Sequence, residues 1–364
     1  MKGKHTKLFA AMFIQRKCHT SHVKTFSKKA LGNISLEKKS VTTHSLDNEE
    51  KYFTKEHYRQ KVWSHMEHNN IAAFPRPVFH RIPNFVGSKK AAQNLLKISE
   101  FVEAKIVKCG PDKAQQYVRV LCLQQNKKLL VPCPQMRHGL FYMIEIPQSR
   151  VKEYMSKYGS LDGLYEYAST QKGMNEFGKE LSIKDMQTQI KKIDVCIVGS
   201  VAVDKNNGNR IGKGKGYADM ELAILSEYCQ CIDPKSTCVI TTVHDCQVFD
   251  CLNIQPIDKQ QQQQGLRLDY IVTPTKVIRI NKDKNDKHIY SIDWNRVTSQ
   301  QLQSIPILAQ LHTLQTKQSV KTNNLDAMSK TQIYTNSNID NKTNVDTQRW
   351  VPKNSILKKQ VDRW

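Results

Sequence analysis

Three features of the 364-residue sequence predict an α/β fold built on a mainly parallel sheet. Short apolar, β-branched runs alternate with stretches of helical periodicity from Ser88 onward, the order that makes strand–helix–strand units. One run, Ile193 to Val203, is nearly unbroken in apolar residues, as a strand buried on both faces of a parallel sheet must be. A glycine-rich turn follows that run and leads into another helical segment at Tyr217.

Tyr58, Val62, Trp63 and Met66 recur at helical spacing and predict a first helix between Thr54 and Asn69. Pro75, Pro77 and Pro83 exclude a helix or a central strand over 74–88, which leaves an extended surface loop. Ser88 is suited to cap a second helix carrying Ala91, Ala92, Leu95, Leu96 and Phe101. Strands are expected at 104–109 and 128–132, with a helix at about 112–125 between them. The region after Pro132 reads as loop with helical stretches, up to the central strand at 193–203. A helix is expected from Tyr217 to about Cys229, strands at 236–243, 266–273 and 276–280, and a closing helix at about 299–311. Gln260 to Gln264 read as an exposed loop between strands.

Apolar residues make up 39% of the chain, enough to bury a core, and no uninterrupted apolar run approaches the roughly 18 residues of a spanning helix. Lys plus Arg number 56 against 33 acids, a net charge of +23 that suits polyanionic partners such as nucleotide, RNA or a polyglutamylated cofactor. Much of that charge sits at the ends. The first 36 residues hold eight basic side chains and no acid, and 313–364 carries +5 in a stretch of Asn, Thr, Gln, Ser and Lys. Both ends lack the apolar content that offsets the entropy of ordering a chain, so the expected domain spans 51–312 between a leader (1–50) and a tail (313–364) without stable structure. The leader has two readings: a solvated basic tail, or a transit peptide with Leu8, Phe9, Met12 and Phe13 on one face followed by Arg16 and Lys17. The expected location is therefore cytoplasmic, with mitochondrial import as the alternative. The ten cysteines show no CxxC pair, which fits reduced thiols.

The segment richest in chemistry is 203–225. It runs from a buried strand through Gly208 and Asn209 to Gly212, Lys213, Gly214, Lys215 and Gly216, and then into the helix at Tyr217. Glycines at alternate positions let backbone N–H groups converge, the helix start adds its positive dipole end, and Arg210, Lys213 and Lys215 add cations. Such a turn suits a phosphate; a tight connection is the other reading. It is neither the P-loop nor the dinucleotide pattern.

GNRIGKGKGYAD, Gly208 to Asp219, resembles the signature of the 5-formyltetrahydrofolate cyclo-ligase family, whose usual form ends in Gly-Tyr-Tyr-Asp. Further stretches fit one branch of that family in order: RQKVWSHME (59–67), FPRPVFHRIPNFVGS (74–88), KKLLVP (127–132), VGSVAV (198–203), VHDCQV (243–248) and LDYIVTPTKVI (268–278). The resemblance implies a three-layer α/β/α sandwich with a mainly parallel sheet, of the NagB/RpiA/CoA transferase-like kind. It implies a reaction in which the N5-formyl oxygen of 5-formyltetrahydrofolate attacks the γ-phosphate of MgATP, and N10 then displaces phosphate to give 5,10-methenyltetrahydrofolate.

Carried over by the same resemblance, Lys55, Arg59 and Arg210 are catalytic cations. Gly212, Lys213, Gly214, Lys215, Gly216 and Tyr217 bind the nucleotide, with Gln247 matching the Gln of an Ala-Phe-x-x-Gln strand end. Asp219 and Asp269 are ligands for Mg²⁺, and a gapless match sets Asp112 in the place of a folate-contacting Glu. The family's second Tyr is Ala218 here, which removes an aromatic wall worth about 1 kcal/mol beyond its area. That departure leaves catalysis open while nucleotide and reduced-folate binding remain the expectation, in a monomer with no membrane partner.

A non-enzymatic RNA-binding or interaction protein that keeps the cyclo-ligase fold is the alternative. Lys215-Gly216-Tyr217-Ala218 matches the start of the RNP1 consensus, but Asp219 replaces its next aromatic. RNA binding is expected only through the basic ends, weakly and without sequence specificity. His65 and His68 with Glu67 lack a third metal ligand nearby, and His244, Asp245 and Cys246 read as strand-end packing rather than a nucleophile pair.

Overall fold

Thr54 starts the first helix, α1 (Lys55–His68), by accepting a hydrogen bond from the His57 N–H at 3.1 Å. Tyr58, Val62, Trp63 and Met66 are all buried, as their spacing requires. The structure, a computed structural model, describes residues 52–136, 139–254, 266–281 and 290–315. The expectations for the leader 1–50, for Gln260 to Gln264 and for the tail beyond 315 lie outside those residues.

After the proline loop comes α2 (Ser88–Asn94). Its cap is Gly87, in the left-handed region at φ 91°, and Ser88 is the first helical residue with no capping bond. The cap expected at Ser88 thus falls one residue earlier, where a Cβ would lie 2.9 Å from Pro274 and only glycine fits. Next come α3 (Ser99–Glu103), β1 (Ile106–Cys109), α4 (Gln116–Gln124) and β2 (Lys128–Pro132). The region read as loop with helical stretches also holds two strands, β3 (Phe141–Ile144) and β4 (Gly178–Leu181), around α5 (Val151–Tyr158), α6 (Leu161–Ala168) and α7 (Gln171–Phe177). Each strand is four residues long, too short for alternation to register.

Beyond α8 (Ile183–Gln189) the expected single strand at 193–203 is two. The structure forms β5 (Val195–Val198) in the main sheet and β6 (Ala202–Asp204) in a smaller one. The break is at Gly199, where an added Cβ would meet Ile82 at 2.8 Å; beside it the Ser200 hydroxyl bonds Thr241 at 2.8 Å. All nine residues from Val195 to Val203 are apolar or small and buried, so hydrophobicity alone shows no boundary. The chain continues through β7 (Arg210–Ile211), α9 (Tyr217–Glu227), β8 (Cys238–Thr242), β9 (Val248–Phe249), β10 (Tyr270–Val272) and β11 (Val277–Arg279). The closing helix is also two, α10 (Ser299–Ser304) and α11 (306–315). Pro306 cannot donate a helical N–H and pushes Ile305 to φ −127°, ψ 90°. Residues 313–315, read as the start of the tail, continue α11.

The main sheet has the order β11-β10-β8-β5-β1-β2-β3-β4. Five neighbouring strands from β10 to β2 are parallel, and β11, β3 and β4 add antiparallel edges. One face packs on α2 to α7 through Leu95, Phe101, Val118, Leu164 and Phe177; the other packs on α8, α9 and α11 through Met186, Leu222, Leu225 and Leu308. This is a three-layer α/β/α sandwich. A third cluster joins α1 and the proline loop to the small sheet β7-β6-β9 through Trp63, Phe85, Val201 and Ile211. Among the described residues no helix is long and apolar enough to cross a membrane.

Candidate functional site

In this strand order β2 lies on one side of β1 while β5, β8 and β10 lie on the other. The chain direction of the connections reverses between β1 and β5, and in open parallel sheets that is where a crevice opens at the carboxyl ends of the strands. A cavity of about 670 Å³ occupies the position, walled by Gly110, Pro111 and Asp112 after β1 and by Val198 and Gly199 at the end of β5.

The glycine turn enters this cavity from β7. Gly214 and Gly216 take φ of 94° and 70°, conformations that a side chain would strain. Gly216 caps α9 with no side-chain hydrogen bond, so the first N–H groups of an eleven-residue helix are left for another acceptor. Among the described residues, no backbone N–H from Gly212 to Gly216 donates to another protein group.

Cations surround this turn. Arg59 on α1 donates from Nε to the Gly212 carbonyl at 2.8 Å and pairs with Glu56 at 3.0 Å. Arg210 is nearly buried; one terminal nitrogen donates to the Gly199 carbonyl at 2.8 Å and the other lies 3.6 Å from Asp219. Its Nε is buried without any hydrogen-bond partner. Lys55 and Lys215 are exposed at the rim, and Lys213 donates to Asp112 at 2.9 Å across the mouth. Asp219, in the first turn of α9, is half-exposed; besides Arg210 it accepts a bond from the Leu266 N–H at 3.3 Å.

The structure therefore brings Lys55, Arg59, Asp112, Arg210, Gly212 to Gly216, Tyr217 and Asp219 to one cavity. It places Gln247 and Asp269 outside the lining. Gln247 is fully buried: its Oε1 accepts from the His244 N–H at 2.7 Å, and its Nε2 donates to the carbonyls of Ser200 and Val201 at 2.9 and 3.0 Å. It ties down the bend between β5 and β6. The Asp269 carboxylate accepts the Val239 N–H at 2.7 Å and so joins β10 to β8. Ala218 lines the cavity and packs against the core below α9. The RNP1-like residues 215–218 lie in the turn and helix start, not on a sheet face where an aromatic could stack a base.

Four residues that line or support the cavity have no counterpart among the expected site residues. Arg119, buried in α4, donates to the carbonyls of Gly110 at 2.6 Å, Asp112 at 3.1 Å and Ser169 at 3.0 Å, which fixes the wall after β1. Lys108 on β1 and Glu221 on α9 form a buried ion pair on the cavity floor. Lys108 is the one charge in the four-residue strand, whereas Glu221 shares its helix with Asp219 and Glu227, so the sequence does not single it out. Cys133 also lines the wall, where burial pushes its thiol up to about 12 and keeps it protonated. At His244, desolvation lowers the imidazole's pKa and its Nδ1 accepts from the Cys246 N–H at 3.2 Å, a capping role at a strand end.

Fold and cleft together define an α/β protein with a glycine-turned, cation-lined crevice at the switch point of its sheet. Residues 54–274 match the family model described as the 5-formyltetrahydrofolate cyclo-ligase family. The chain belongs to that family. It is similar to the methenyltetrahydrofolate synthase domain-containing protein of Danio rerio, 39% identical over 262 residues that make up 72% of this chain and 62% of the relative. The Homo sapiens protein of the same name is 38% identical over 258 residues, 71% of this chain and 61% of the relative. The chain thus spans about three fifths of the length of the curated relatives it matches. Among solved structures it is similar to the 5,10-methenyltetrahydrofolate synthetase of Aquifex aeolicus, with 20% identity, a TM-score of 0.35, and coverage of 64% of this chain and 96% of that one.

Proposed function

We propose that the chain binds MgATP at the mouth of this cleft and uses it to close the ring of a reduced folate, 5-formyltetrahydrofolate to 5,10-methenyltetrahydrofolate. Membership of the cyclo-ligase family and the name shared by its relatives support the reaction. The observation that carries it is the cradle: unpaired N–H groups from Gly212 to Gly216, at a helix start, beside the buried and unpartnered Nε of Arg210. A buried donor without a partner costs about 1–3 kcal/mol, which an anion in the cleft relieves.

ATP supplies an activated phosphoryl group for the formyl oxygen. The rest is the work of this chain's side chains. Arg59 holds the turn by the Gly212 carbonyl, and Lys55 and Lys215 bring cations to the rim. Charge developing on a transferred phosphoryl is stabilised by such fixed donors without reorganisation. Asp219 fits as a Mg²⁺ ligand because its present contacts, 3.6 and 3.3 Å, are long and its carboxylate is half-exposed. Asp269, already accepting a main-chain bond away from the cavity, is not part of that set. Pro132, Pro134 and Met136 offer an apolar inner wall against which a ring can lie.

The test is to incubate the purified chain with 5-formyltetrahydrofolate and MgATP while following the methenyl absorbance. The expected result is an absorbance that grows with enzyme and requires ATP. A folded chain that binds MgATP yet never produces the chromophore would reduce the reading to nucleotide binding.

A further inference from the structure

Lys108 stands in the middle of the parallel sheet, beside Leu130 of β2 and Cys196 of β5 in register, on the face covered by α9. Its side chain is 1% exposed, and that of Glu221, among the buried Met220, Leu222, Ala223 and Ile224 of α9, is 9% exposed. Desolvating two charges costs several kcal/mol each, and an apolar pair of the same volume is commonly as stable or more so. Packing therefore gives no reason for the pair. The bond between them uses one of the ammonium's three donors and one carboxylate oxygen, and among the described residues neither group makes another hydrogen bond. Both line the cavity where its other walls are Pro132, Cys133, Met136 and Val198. Burial alone would lower the Lys108 pKa, but the Glu221 carboxylate outweighs it and holds the ammonium charged.

An apolar slot whose floor carries a spare carboxylate oxygen next to spare ammonium donors matches a flat ring with apolar faces and an edge that has N–H beside C=O. We propose that the Lys108–Glu221 pair reads the cyclic-amide edge of a fused heterocycle, Glu221 accepting from the ring N–H and Lys108 donating to the ring carbonyl. The inference rests on the reading of the cleft as a ligand site and adds to it two residues that select the second ligand. The 2-amino-4-oxo edge is common to a pterin and to guanine; adenine lacks the carbonyl. Truncating a buried charge-assisted contact of this kind typically weakens a ligand by about tenfold or more.

The experiment is calorimetric titration of the full chain and of the Lys108→Met/Glu221→Leu double variant with three probes: 5-formyltetrahydrofolate, GMP and MgATP. The double variant should melt no lower than the wild type, bind MgATP within about threefold of it, and bind the pterin or guanine probe at least about tenfold more weakly. Whichever ring probe shows that loss identifies the source of the edge. If the apolar pair fails to fold, Lys108→Gln/Glu221→Gln, close in volume and neutral, replaces it and should weaken the same probe at least about fivefold. Equal affinity of wild type and folded variant for the ring probe, or no binding of either ring probe to the wild type, overturns the proposal. Failure of MgATP alone to bind the wild type would sink the nucleotide reading while a pair-dependent ring affinity still supports this one.

Discussion

The cleft holds two lysine–carboxylate pairs that differ in little but depth. At the mouth, Lys213 and Asp112 meet at 2.9 Å with side chains 30% and 21% exposed; on the floor, Lys108 and Glu221 meet at 2.5 Å with side chains 1% and 9% exposed. Solvent screens the first pair, so it opens at little cost and leaves the turn free to adjust to a ligand. The second has no water to replace either partner, so it holds one geometry and breaking it is expensive. Chemically similar contacts thus differ in how readily they open, and burial decides which holds.

Breaking the floor pair on one side is the most severe test of that contrast. Lys108→Met alone strands the Glu221 carboxylate, and chemical denaturation should show a loss of about 3–5 kcal/mol, whereas the double variant should recover all of it. The floor pair also leaves a pH signature. Because the folded Lys108 pKa lies above that of the unfolded chain, its contribution is complete below about 10.4 and declines as pH rises through the folded value. Stability measured from pH 9 to 12 should fall less steeply in the double variant; identical alkaline limbs would contradict the assignment.

Next in size is the turn between the two pairs. Asp219→Ala should weaken MgATP by about 1–2 kcal/mol and inorganic phosphate by much less, since the carboxylate acts on the metal. Calorimetry with and without Mg²⁺ separates the two, and an equal effect on both would remove Asp219 from the metal site. Gly214→Val forces a β-branched residue to φ 94° and sets its Cβ 3.3 Å from the Arg59 guanidinium. Thermal unfolding should register roughly 1–2 kcal/mol, with weaker nucleotide binding alongside. The smallest effect belongs to the mouth: Lys213→Ala should cost under about 1 kcal/mol in stability, and that cost should vanish at 1 M salt, where the Debye length is about 3 Å. A salt-independent cost would mean that the mouth pair is as dry as the floor.

Where residues carry their own geometry, the sequence was readable. The 55–68 helix, the 128–132 strand and the 217–227 helix fall within a residue or two of their expected bounds because periodicity and length there are unambiguous. The turn at 212–216 was legible as a glycine-built passage from a strand into a helix, because alternate glycines just before a helical period mark it. Boundaries set by a neighbour were not legible. Gly199 ends β5 because Ile82 crosses it, and Gly87 displaces Ser88 as a cap because Pro274 packs there, contacts between residues more than 100 positions apart in both cases. For the same reason Gln247 and Asp269 could be matched to a motif but not located: Gln247 spends its side chain on the bend between β5 and β6, and Asp269 on the backbone of β8.

By itself the sequence determined the layers and the glycine turn: apolar runs of strand length alternate with helical periods, and the glycines free the N–H groups of residues 212–216. Only the tertiary structure decided which side chains share the cleft and how dry each one is. A lysine in AKIVKC and a glutamate in GYADME look like two ordinary charges 113 residues apart. Strand order and the packing of α9 bring them together away from water, and it is the loss of water that turns two common residues into a rigid, charged floor.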